Sequence, residues 1–374
     1  MKRSTIVYAL LALAITLSLV TACAQPAPTA APKPQPTQAP AQATKAPAQP
    51  TAVPPTAAPQ IGTKDHPILL YFVPSVDVAV IVSSGDKIAN YLKQQTGLEF
   101  KVSVPTSYAA TIEAMGQNKG DAMAFIPAQP YVFANMKYGI TVGLAVVRNG
   151  NSWYASEYLV RADSGIKTMQ DLNGKKWACP DFGSTSGYLY PKAQMAALGI
   201  KPAADVLQAG GHPQAVLAVY NKQVDFATVF FSPPLISGGT PWKWGDPPEP
   251  QGQSRIEKVN GKNQAFIGNA QILDARANVI DQFPDVIDKV KIIGLSDQIP
   301  NDTVSFVKDF PQDLKDKIMD ALIAYSKTEE GKAVLSNKDF YGITGFEKVK
   351  DSFYDPVRNL IKQLGIKEDD VLKK

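Results

Sequence analysis

Apolar positions along this chain fall into two rhythms. Short unbroken runs read as buried strands: Ile68-Leu69-Leu70-Tyr71-Phe72-Val73, ended by Pro74, then Ala122–Ile126 and Ile140–Val147. Phe100–Val104 alternates, as a half-buried strand does. Between these runs the spacing widens to three and four. Asp86–Gln95 carries Ile88, Tyr91 and Leu92 on one helical face, with Gly97 as its stop, and Tyr131–Tyr138 closes at Gly139. A helix from Tyr108 turns Ile112 and Met115 inward, and Ser107 precedes it as a cap. Strands that alternate with helices predict an α/β body with a mostly parallel sheet, covered on both faces.

A second unit opens at Ser156–Val160 and repeats the pattern. Met169–Leu172 reads as a short helix and Lys176–Cys179 as a strand. A helix follows to about Leu198, then a strand near Val206-Leu207, a helix over Pro213–Asn221 and a strand over Asp225–Phe231. Pro233–Gln253 is a Pro- and Gly-rich loop whose Trp242 and Trp244 either pack onto the body or cap a pocket. Asn269–Val279 and Lys289–Leu295 are expected to return to the first unit. Three helical patterns, Pro311–Lys327, Gly331–Ser336 and Phe346–Leu364, complete the chain.

The beginning breaks both rhythms. Lys2 and Arg3 precede an apolar core from Ile6 to Val20, which ends in Val20-Thr21-Ala22-Cys23. Residues 1–22 read as a signal peptide, and the tetrapeptide resembles the bacterial lipoprotein signal in which Cys23 becomes the lipidated first residue. The alternative, an uncleaved membrane anchor, requires a longer apolar core. Residues 23–61 are rich in Ala, Pro, Gln and Thr and predict a disordered, semi-extended tether. The protein is therefore expected outside the cytoplasm, held to the membrane by lipid. The ordered body has about 310 residues, enough for two domains.

Charge and metal-ligand counts exclude several classes. The formal net charge is +4 with no long basic block, which argues against nucleic acid as a partner. Lipidation of Cys23 leaves only Cys179, so no internal disulfide forms, and two His with one Cys are too few for a transition-metal site. No cofactor is implied. The G-x-S-x-G, G-x-x-x-x-G-K-[ST] and H-E-x-x-H patterns are all missing. A Ser186–His212–Asp225 set would need contact across a predicted helix. The chain therefore reads as no enzyme, with no catalytic residue.

Candidate chemistry sits at three helix starts. Ser107-Tyr108 precedes one helix, Ser184-Thr185-Ser186 another, and His212 stands before Pro213, a favoured first helical residue. Three hydroxyl residues between Gly183 and Gly187 exceed what a single cap needs. Helix N-termini carry partial positive charge and suit a tetrahedral oxyanion. In an open α/β sheet such turns gather beyond the carboxyl ends of the strands. If they converge, the pocket binds an anion with neutral donors, without a buried Lys or Arg.

Taken in order, the Tyr108–Met115 segment, the Ser184-Thr185-Ser186-Gly187-Tyr188 turn, His212 with its helix, and Asp297–Asp302 resemble substrate-binding proteins of phosphate, phosphite and phosphonate ABC importers. The resemblance covers about residues 66–232 and 265–364. It implies a two-lobed periplasmic-binding-protein clamshell of the type with two crossover strands. Lobe 1 would be 62–155 plus 268–374, and lobe 2 would be 156–267. It also implies a monomer that delivers a phosphorus oxyanion to a membrane permease. Ser184, Thr185, Ser186, Tyr108 and His212 carry over as ligand-binding residues, with Tyr131 as a further candidate. The stretch after Asp225 lacks the carboxylates that aminoalkylphosphonate binders place around an ammonium group, so an amino-substituted ligand is not expected. The other readings are a pyrimidine precursor or sulfonate in the same clamshell, a sensor lipoprotein, and a phosphoesterase-like hydrolase.

Overall fold

In a computed structural model, residues 60–367 are described; the signal-peptide and Cys23 assignments and the tether up to residue 59 lie outside them, while Ile61, assigned to the tether, packs against the core. The first sheet runs Gly345–Lys348, Thr141–Val147, Thr303–Phe306, Ala122–Ile126, Ile68–Phe72, Phe100–Ser103 across its width. Ile68–Phe72 lies parallel to both Phe100–Ser103 and Ala122–Ile126. All five residues of Ala122–Ile126 are buried, as expected of a strand covered on both faces. Phe72 stacks on Phe125 with ring centroids 5.0 Å apart, fixing the centre of this core.

The sheet is mixed where the sequence pattern predicts mostly parallel. Thr303–Phe306 runs antiparallel to both Ala122–Ile126 and Thr141–Val147 and separates them. Gly345–Lys348 adds a further antiparallel edge. The cause is the chain's route: late segments come back in the opposite direction and wedge between early ones. Phe346–Leu364, expected to be helical throughout, accordingly starts as that edge strand. It becomes an α-helix only over Asp355–Gln363.

The second sheet has the order Val290–Leu295, Trp153–Arg161, Phe226–Phe231, Trp177–Cys179, Leu207–Gln208. Val290–Leu295, expected to return to the first unit, instead pairs antiparallel with Trp153–Arg161. Likewise Ala275 and Val279 belong to the apolar cluster under this second sheet. The return comes later. Ile299-Pro300 pairs with Trp153-Tyr154, and Ser156 and Ser296 bind each other, N–H to Oγ and O to N–H, both at 2.9 Å. Two antiparallel segments thus carry the chain between the sheets. A third, small antiparallel sheet contains the hairpin Ser254–Val259/Lys262–Ile267.

Helix limits follow local chemistry. Val78–Thr96 begins before Asp86, with Asp77 accepting the Val80 N–H, and ends at Gly97 in the left-handed region at φ 72°. Gly139 ends Ala128–Tyr138 in the same way at φ 68°. Ser107 Oγ accepts the Ala110 N–H at 3.1 Å, the expected cap.

Candidate functional site

The turn after Trp177–Cys179 is built by its own side chains. Asp181 Oδ1 accepts the Gly183 N–H at 2.7 Å, and Ser184 Oγ accepts the Gly187 N–H at 3.0 Å. The next turn is wide: the Leu189 N–H reaches Ser184 O at 3.2 Å, five residues back. Helix Tyr190–Ala197 continues from it. From Phe226–Phe231, Thr228 donates to Gly187 O at 2.5 Å and accepts Trp177 Nε1–H at 2.7 Å. Both glycines are required by close approach. A Cβ on Gly187 would stand 2.3 Å from Pro180 Cδ, and one on Gly183 would stand 2.7 Å from Tyr108 Cβ.

That second approach joins the two sheets' units. Ser184, Ser186, Tyr108 and His212 line one cavity of about 400 Å³. Tyr108 is 1% exposed, and its hydroxyl has no hydrogen-bond partner among the described residues. Burial, reinforced by Asp181, pushes its pKa well up, so it remains an O–H donor. His212 Nδ1 accepts the Phe230 N–H at 3.2 Å. Burial, helped by the positive charge of Arg148, lowers its pKa to about 3. The ring is neutral near pH 7, and the bond at Nδ1 assigns its proton to Nε2, again a donor.

Thr185 and Tyr131 are placed differently. Thr185 Oγ1 accepts the Gln129 N–H at 2.8 Å, while Gln129 Nε2 donates to Phe182 O at 3.2 Å. With the His212 N–H on Ser75 O at 3.0 Å, these bonds tie the two units together. Tyr131 turns its hydroxyl to Asp351 Oδ1 at 2.5 Å and packs its ring on Tyr354. Neither residue lines the cavity.

Lining residues that the sequence does not single out include Arg148, Tyr154 and Tyr341. Arg148 binds Asp302 Oδ2 at 2.6 Å, Asn301 Oδ1 at 3.0 Å and Tyr341 O at 2.8 Å. The pocket therefore does contain an arginine, contrary to expectation, but a carboxylate already matches it. Tyr154 lies under this guanidinium. Asp274, the other lining carboxylate, is held by buried Arg276 at 2.8 Å. Asp225 accepts the Lys176 N–H at 2.8 Å and serves the backbone, not His212. Trp242 and Trp244 pack with each other and with Trp153, and neither reaches the cavity. The stacking aromatics needed for a pyrimidine do not come from that loop.

Chemically, the cavity offers hydroxyls, an imidazole N–H and helix starts, with its carboxylates neutralised. Such a set has the chemistry that suits an oxyanion. A family model for the periplasmic substrate-binding protein of phosphonate ABC transporters matches residues 70–354. The phosphonates-binding periplasmic protein of Escherichia coli is 26% identical over 275 residues, covering 72% of this chain and 68% of its own. A phosphate-import protein of Mycolicibacterium smegmatis is 31% identical over 176 residues, 44% of this chain and 54% of its own. Among solved structures, a Prochlorococcus marinus protein in complex with methylphosphonate superposes with a TM-score of 0.60 at 12% identity. That match covers 80% of this chain and 98% of the other.

Proposed function

This chain belongs to the periplasmic substrate-binding proteins of phosphonate ABC transporters, and from that premise we propose that it captures a phosphorus oxyanion between two closing lobes. It is a transport component, not an enzyme. Phosphonate, phosphite and phosphate share the tetrahedral head that the site would grip. Ser184 and Ser186 hold the oxyanion from lobe 2 together with His212 Nε2–H, and Tyr108 closes on it from lobe 1. The observation that carries this reading is the buried, unpartnered Tyr108 hydroxyl in one cavity with Ser184, Ser186 and His212. Lobe 2 extends to about residue 295 in this reading, because Val290–Leu295 hydrogen-bonds within its sheet.

Closure follows from differential contact, since only the closed form completes both sets of bonds. Each charge-assisted bond contributes roughly 1.5–3 kcal/mol. A few of them suffice for a micromolar site, which needs about 8 kcal/mol. The closed form is what a membrane permease would recognise. Cys23 carries lipid, and residues 23–61 tether the body to the membrane.

Calorimetry with phosphate, phosphite and methylphosphonate identifies the head group. The double variant Ser184→Ala/Ser186→Ala should lose at least a hundredfold in affinity, on the order of two lost charge-assisted bonds, while its circular dichroism stays unchanged. Retained affinity in a folded double variant would remove the turn from the site.

A further inference from the structure

The cavity exceeds what an oxyanion grip requires. Its volume, about 400 Å³, lies in the ~300–1,000 Å³ range of sites for sizeable organic ligands. Methylphosphonate adds a single carbon to the head group. The donors described above stand on segments that touch one another, Gly183 against Tyr108 and His212 against Ser75. The cavity walls also include the hairpin Ser254–Val259/Lys262–Ile267 and the segment after helix Glu329–Leu335. Lys262 and Gln264 stand two apart on one strand, share its face, and both line the cavity.

Charge is distributed unevenly over these walls. Asp302 is matched by Arg148, Asp274 by Arg276, and Lys338 by Asp339 at 2.5 Å. Lys262 is the one remaining charged lining residue, and it has no ion-pair partner among the described residues. An ammonium tail would meet this lysine and no unmatched carboxylate. A carboxylate tail would meet a cation, with the Gln264 and Gln271 amides beside it.

We propose that the hairpin end is a second subsite, and that the ligand is a phosphonate whose carbon chain ends in a carboxylate held by Lys262. The proposal rests on the phosphonate reading above and adds the chemistry of the substituent.

The test uses calorimetry on the whole body. Phosphonoacetate, 3-phosphonopropionate and 4-phosphonobutyrate are each compared with the alkylphosphonate that carries a methyl group in place of the carboxylate. At least one acid should bind about five- to tenfold tighter than its alkyl counterpart, the scale of a single partly shielded charge-assisted contact. Lys262→Met should bring that pair to parity, Lys262→Arg should keep the preference, and methylphosphonate affinity should stay the same in both variants. Parity in the unmodified protein overturns the subsite, as does a preference that survives Lys262→Met or an equal loss for every ligand. If no phosphonate binds at all, the phosphonate reading fails first and takes the subsite with it.

Discussion

His212 accepts the Phe230 N–H through Nδ1, and its surroundings keep the ring uncharged. Its folded pKa of about 3 lies below the ordinary 6.5. The unfolded chain therefore takes up a proton that the folded chain refuses. The sign follows: His212 costs no stability above pH 6.5, and the folded state loses ground as pH falls from 6.5 towards 3. Between pH 7 and pH 5 the loss is about 2 kcal/mol. Glu157 acts oppositely. Buried and without a hydrogen-bond partner among the described residues, it has a raised pKa, so it is least costly below 4.5 and costs more as pH rises. The two slopes offset each other in the unmodified protein. The informative measurement is urea unfolding of His212→Gln against the parent at both pH values. The variant should gain about 2 kcal/mol relative to the parent on going from pH 7 to pH 5. An unchanged difference would mean that the imidazole titrates normally.

At the scale of elements, the wide turn Thr185–Leu189 shows what could be read from the sequence and what could not. Its hydroxyls, flanking glycines and following helix are neighbours in the chain, so local chemistry announced them. Gly187 carries much of that signal, because the Pro180 ring fills the place of a Cβ. Gly187→Ala should cost about 1–3 kcal/mol of stability, the usual scale of overpacking, and weaken methylphosphonate at least tenfold by displacing Ser184 and Ser186. Chemical denaturation and calorimetry on the same sample separate these two effects. The neighbouring Thr185 could not be assigned this way, because its partner is the Gln129 N–H, 56 positions away. Tyr131 stands off the cavity for a similar reason: its hydroxyl answers Asp351, 220 positions on. Arg148 gave no signal, since its role depends on Asp302, brought alongside by strands that cross between sheets.

At the scale of the whole molecule, those crossing segments decide both architecture and site. The alternation of strands and helices predicted two α/β units correctly. It could not predict that the returning Thr303–Phe306 would wedge between Ala122–Ile126 and Thr141–Val147, because strand order is set by non-local pairing. The same return lays Asn301 and Asp302 against Arg148 and so completes the cavity wall.

The pairing of Arg148 with Asp302, and of Arg276 with Asp274, also governs how far the grip can be felt. A cleft with unmatched arginines attracts anions from a distance, and dissolved ions damp that attraction. Here the head-group end presents hydroxyls, a neutral imidazole and helix ends, whose fields fade within a bond or two. In Lys262→Met, which removes the one unmatched cation of the cavity wall among the described residues, methylphosphonate should therefore bind with nearly the same affinity as ionic strength rises from 0.01 M to 1 M, although the Debye length falls from about 30 Å to about 3 Å. Equilibrium titration across that range checks this, and a steep decline with salt would reveal a bare cation at the grip. A head-group grip built this way would hold equally well in fresh water and in brine, leaving any salt dependence to the Lys262 contact.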